Sequence, residues 1–415
     1  MAKPNISPIA WLNDRQNRRS AMILSQRSQV ISALGIVMIL TWGSSFYLLA
    51  VLAEPIRLET GWGAGAVTAG VSLALLASGL ASGWVGRLIQ RDGGRRVLAG
   101  GITLIAAGLV LLGLSRSLPV YLVAWAVIGL GMAGALYDAA FSTLGRIYGR
   151  EARSAITTLT LWGGFASTVC WPVSAFLVEL VGWRGTCFAY AALNLGVCLP
   201  LCWIVLPRVP PVLTVATPDP ALPVPASQYG LRFWCLAIAG AMLAMVSSIW
   251  SVHLITIMTA QGYALAAAVA LGTLIGPAQV GARVLEMMGR GRHHPIWTMM
   301  ASTGLVLLGF LGLVLEIPAS AALVAYGAGN GLWSIARGAL PLSIFAPEDY
   351  ALIMGRLAGP VLVASAVAPL LGALLIQHYG AAAMLWVLMM GAVVPVAAAV
   401  ILYWDILRDR QIHSL

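Results

Sequence analysis

The chain has 415 residues, 60% hydrophobic and only 9% charged, with a mean hydropathy of +0.90 and a formal net charge of +10. So little polar surface excludes a soluble globule of this length and makes the lipid bilayer the expected solvent. The basic excess does not gather into a face or stripe but falls between apolar runs, which excludes a nucleic-acid surface and reads as membrane topology.

A membrane helix needs about 20 apolar residues. A polar, Arg-containing N-terminal tail, residues 1–29, comes first, and the span behind it is too long for the core of a cleavable signal peptide. Six helices are predicted at 30–53, 64–89, 97–115, 118–145, 154–180 and 184–206, forming an N-terminal bundle over 30–206. Residues 207–231 are dense in proline, which forbids a helix and predicts an extended, solvated linker. Six more helices follow at 232–259, 263–288, 295–315, 319–345, 351–377 and 381–405, giving a C-terminal bundle over 232–405 and a tail over 406–415. The expected fold class is an all-α polytopic membrane protein with 12 transmembrane helices in two six-helix bundles. All basic residues except Arg57, Arg116, Arg184, Arg283 and Arg337 then fall on the side of the termini and linker, so both termini are expected in the cytoplasm.

The halves echo each other. Helix 4 carries Gly129 and Gly131 before Asp138, and helix 10 carries Gly327 and Gly329 before Arg337. Such internal symmetry is the mark of carriers built from repeats around a midplane site. Between helices 2 and 3 the chain reads GRLIQRDGGRRV, residues 86–97. This resembles the signature loop of the major facilitator superfamily, which runs Gly, three residues, Asp, Arg, one residue, Gly, then a basic cluster. Gly86, Arg91, Gly93, Arg95 and Arg96 match it, and Gln90 stands where the family has Asp, which predicts a weaker charge lock on the inward gate.

Further stretches resemble bacterial members of the monocarboxylate and oxalate/formate porter group: WGSSFYLLAVLAEPI (42–56), YDAAF (137–141), WGGFASTVCWP (162–172), GWR (182–184) and GPAQVGARVLE (276–286). The resemblance implies that Arg283 in helix 8 anchors a substrate carboxylate. An acid four residues earlier, common in that group, is here Gln279, and the helix 1 lysine of its vertebrate members is missing, since the one lysine is Lys3.

An acid at the centre of a membrane helix costs on the order of 3 kcal/mol and faces a cavity or a partner. Asp138 is therefore read either as a proton carrier or as a structural pin, with Arg337 as its obvious mate. Asn330, Ser334 and Arg337 form one polar stripe. Arg283 and Glu286, three residues apart, have the spacing of an in-helix ion pair. The expected substrate contacts are Arg337, Arg283, Asn330, Gln279, Trp250, Tyr47 and Tyr137, and the expected proton-coupling residues are Asp138 and His253.

All five cysteines lie in or at the ends of apolar runs, so neither disulfide nor metal site is expected. No phosphate-binding glycine loop or nucleophile triad is present, so no cofactor and no enzymatic activity are expected. The resulting expectation is a monomeric secondary carrier of the inner membrane, moving a small organic anion, a monocarboxylate by the resemblance, with a proton as coupling ion. The alternatives are proton-driven export of a neutral or cationic compound and, from another class, a transporter-like sensor.

Overall fold

The computed structural model describes residues 8–208, 230–289 and 291–412, so the linker expected at 207–231 lies almost wholly outside the described residues. Among the described residues there are helices and no strands. Twelve passes follow one another in two sets of six. The first is α1 (Pro8–Gly43) with α2 (Leu49–Thr60), so the polar segment from Pro8 is itself helical. Then come α3 (Ala64–Asp92), α4 (Gly94–Leu114), and a fourth pass made of α5 (Leu118–Ala135) and α6 (Tyr137–Tyr148). The fifth and sixth passes are α7 (Ala152–Gly164), α8 (Ala166–Leu193) and α9 (Leu199–Val205), with the turn between them inside α8 at Gly182. In the second set, α10 (Leu231–Ala260) is followed by an eighth pass of α11 (Leu265–Gly272) and α12 (Ile275–Met288). The last four passes are α13 (Pro295–Val314), α14 (Ala319–Ile344) and α15 (Tyr350–Ile412), which turns back at Gly380.

The turns at Gly182 (φ 70°) and Gly380 (φ 83°) need a left-handed backbone, which residues with a Cβ avoid. They are separated by the same interval as Gly93 and Gly291, a second pair of left-handed glycines, and as Gly129 and Gly327. The repeat inferred from two Gly-x-Gly motifs is thus also written in the turns. Each set of six wraps its own core, one built around Trp125, Tyr121 and Phe141, the other around Trp250 and Phe310.

Four passes expected as single helices are broken near mid-membrane. In the first, Thr41 and Ser45 donate from Oγ to the carbonyls of Val37 (2.7 Å) and Thr41 (2.5 Å), back-bonding that bends helices, and the Tyr47 N–H reaches the Trp42 carbonyl at 3.0 Å. In the fourth, Leu136 is extended (φ −93°, ψ −167°) after a glycine-rich run whose backbone lies against α4; a Cβ on Gly131 would stand 2.6 Å from the Ile105 nitrogen. The fifth breaks at Phe165 after Gly163 and Gly164, and the eighth at Thr273 and Leu274. Backbone that is not helical is tolerated at this depth only where protein or a cavity surrounds it. The first, fourth and fifth breaks border the junction of the bundles.

The bundles meet closely on the side of the termini. Gly86 of α3 lies against α15, where a Cβ would come within 2.6 Å of the Ala351 carbonyl oxygen, and a Cβ on Gly355 within 2.5 Å of that of Ser82. With little hydrophobic drive between helices in lipid, such small-residue contact is what lets two backbones pack.

Candidate functional site

Two arginines cross the junction at its centre. The break at Leu136 starts α6 at Tyr137 and puts Asp138 in its first turn, where free backbone N–H groups favour a negative charge. Arg337 of α14 donates from Nη2 to Asp138 Oδ1, so charges on the repeat-related passes of the two bundles form one ion pair. Asn330, Ser334 and Arg337 are less buried than their neighbours on α14, as the polar stripe requires, and Asn330 Oδ1 accepts from Ser247 Oγ at 3.4 Å.

Arg283 of α12 is 7% exposed. It does not pair with Glu286, correcting the in-helix expectation. Its Nε donates to the Gly331 carbonyl at 3.3 Å within its own bundle, and its Nη1 to the Thr160 carbonyl at 3.2 Å in the opposite bundle. Tyr137 Oη donates to the same Thr160 carbonyl at 3.3 Å. Gly163 and Gly164 make room for both groups: a Cβ on Gly163 would lie 2.0 Å from Tyr137 Oη, and one on Gly164 2.5 Å from Arg283 Nη1. Tyr47 and Tyr137 lie within electrostatic reach of Arg283. Trp42 lies tilted beside both tyrosines, with ring centroids 5.9 and 5.3 Å away, and Trp171 meets Tyr47 edge-on at 6.1 Å. The break in the first pass thus brings Tyr47, with the rings beside it, within electrostatic reach of a buried guanidinium. Gln279 sits one turn before Arg283, its backbone carbonyl against Gly331.

Two expected contacts stand apart from this cluster. Trp250 is fully buried between Phe310 and Tyr326 in the core of its own bundle, which corrects its assignment as a cavity contact. His253 packs on Gly372 and holds the Pro369 carbonyl at 3.1 Å, so its neighbours belong to α15 rather than to the junction.

Below the arginines, Arg153 of α7 donates from Nη1 to the carbonyls of Gly291 (3.1 Å) and His293 (2.5 Å), across the junction. Its Nη2 stands 3.7 Å from Glu286 Oε1, which also accepts from Thr298 Oγ1 at 2.8 Å and faces His293 Nε2 at 3.1 Å. Neither Arg153 nor Thr160 was singled out from sequence: Arg153 sits in a basic stretch that topology alone explains, and Thr160 acts through its carbonyl, which no side-chain pattern reveals.

The signature loop is rearranged around Gln90. Arg91 turns to the next acid, donating to Asp92 from Nε and Nη2 at 2.8 Å each, and these bonds hold the Asp92 carboxyl below the usual carboxylate range. Gln90 Oε1 is buried and has no hydrogen-bond partner among the described residues. Arg95 lies over the Trp203 ring, 4.6 Å from its centroid, rather than on the opposite bundle. No group of three or more metal-ligating side chains occurs among the described residues.

Residues 34–334 match the family model of the Major Facilitator Superfamily. No curated protein matches the sequence. Among solved structures, the human organic anion transporter MFSD10 (TETRAN) superposes with a TM-score of 0.72 at 14% identity, covering 90% of this chain and 99% of that one. The proton:xylose symporter XylE, bound to 6-bromo-6-deoxy-D-glucose, superposes with a TM-score of 0.67 at 12% identity, over 91% and 95% of the two chains.

Proposed function

Because the chain belongs to the major facilitator superfamily, whose members are secondary transporters, we propose that its cargo is a small organic anion, a monocarboxylate, moved with a proton across a bacterial-type inner membrane. The observation that carries this reading is the state of Arg283. A guanidinium in a membrane interior calls for a counter-charge or water, yet no carboxylate pairs with Arg283 among the described residues. Asp138 already balances Arg337, so the centre holds one unbalanced positive charge, and a monovalent carboxylate supplies the missing one. The Arg fork would grip it in two bonds. The rings of Trp42, Tyr47 and Trp171 offer an apolar wall for the rest of the molecule.

The coupling follows from which groups tie the bundles together. Cargo that takes Arg283 removes its bond to Thr160, one tie across the junction. A proton on Asp138 removes the charge that holds Arg337, a second tie. Both bridge the two bundles, so rocking that opens the terminus side requires anion and proton together. The human structure named for organic anion transport and the neighbour named as a proton symporter are similar in fold, and each supports one half of this reading.

The test is anion binding by purified protein. Wild type is expected to bind a monocarboxylate more tightly at low pH, and Arg283→Gln to lose that binding while keeping the wild-type helix content by circular dichroism. Equal binding by wild type and Arg283→Gln would overturn the assignment.

A further inference from the structure

On the lipid-facing surface, well away from the junction, a groove of about 700 Å³ runs between α4 and α9, with Arg96 at its rim. Its floor is apolar: Ala99, Gly100, Pro200, Trp203 and Ile204 line it. A Cβ on Gly100 would meet nothing within 4 Å, so the absence of a side chain there helps to open the groove. Trp203 and Ile204 are 48% and 79% exposed and face the hydrocarbon. At the rim the lining becomes charged. Arg96 is exposed and forms no hydrogen bond or ion pair among the described residues. The nearest acid, Asp92, feels Arg96 but is already engaged by both donors of Arg91. Arg95 stacks on Trp203, and its Nε is buried without a hydrogen-bond partner.

We infer that this groove is a binding site for an anionic glycerophospholipid. The headgroup phosphate sits on Arg96 with Arg95 behind it, and an acyl chain lies along Gly100, Trp203 and Ile204. Both arginines open α4 at the terminus side of the membrane, and an apolar slot continues from them toward the bilayer centre. A phosphodiester with a tail matches both parts, whereas a free phosphate would leave the slot empty and a zwitterionic lipid would bring its own ammonium to the arginines. Basic groups near a membrane surface each add about 1 kcal/mol to the attraction for anionic lipid, so one arginine is worth about fivefold.

The experiment is native mass spectrometry of the full-length protein released from nanodiscs holding equal parts phosphatidylglycerol and phosphatidylcholine. Wild type is expected to retain phosphatidylglycerol in preference to phosphatidylcholine. Arg96→Gln lowers that retention about fivefold, and Gly100→Leu, whose Cβ enters open space and whose branch fills the slot, lowers it as much while leaving the charge in place. Equal retention of the two lipids by wild type, or retention of phosphatidylglycerol unchanged in both variants, would overturn the site.

Discussion

Arg283 and Arg337 are both guanidinium groups at the bundle junction, but their partners give them different work. Arg337 meets a carboxylate; Arg283 meets two carbonyl oxygens, one from each bundle. A hydrogen bond to a charged group contributes roughly 1.5–3 kcal/mol, so Arg283→Gln is expected to weaken anion binding roughly 10- to 100-fold in a calorimetric titration. Arg283→Lys keeps the charge without the fork and should fall between the two. The Asp138–Arg337 pair is read by a double-mutant cycle. Asp138→Asn leaves a part-buried arginine unbalanced and Arg337→Gln leaves a part-buried carboxylate, whereas the double variant leaves neither. Each single variant is therefore expected to lower the apparent melting temperature more than the double, with a coupling energy of about 0.5–3 kcal/mol. Additive losses would mean that the two side chains do not act as a pair. Asp138, Arg337 and Arg283 were all visible in the sequence because each is a charge in an apolar run. Trp250 is misplaced by the same reading because helical spacing gives the face a side chain shares with its neighbours, not whether that face meets a cavity or a core.

At the level of elements, the twelve passes and nearly all their limits were legible, because length and hydropathy decide them. The breaks were not. Leu136 interrupts the fourth pass without a proline, through close backbone packing on α4, and that interruption is what gives Asp138 a helix N-terminus. The signature loop was legible as a motif, yet its partners were not: Gly86 packs on Ala351 and Gly355, more than 260 residues away in sequence. That contact is testable. Gly86→Ala places a methyl 2.6 Å from a backbone carbonyl oxygen, which cannot move aside as a side-chain tip can. The variant is expected to separate α3 from α15 and populate a form open on the terminus side. Spin labels introduced by Arg150→Cys and Met288→Cys, with the buried native cysteines replaced, should then report longer distances by pulsed EPR. An unchanged distance distribution would mean that this contact does not control closure.

For the molecule as a whole, closure of the terminus side rests on contacts of three kinds: backbone packing at Gly86 and Gly355, the Arg153 cluster with Glu286 and His293, and the two central ties at Arg283 and Arg337. In the proposed mechanism cargo and proton act on the last kind alone. Arg153→Ala should therefore shift the same spin-label distances toward the open form without changing which anion binds, whereas Arg283→Gln should change binding. The most direct measurement of the central claim is proton movement into proteoliposomes loaded with a pH-sensitive dye, challenged with monocarboxylates and dicarboxylates, with protein-free vesicles subtracting passive acid permeation. Acidification driven by a monocarboxylate is expected in wild type, none in Arg283→Gln, and movement of labelled anion without acidification in Asp138→Asn. Proton-linked anion transport is ruled out if no organic acid moves protons above the empty vesicles, and the role of Arg283 if Arg283→Gln acidifies them as wild type does.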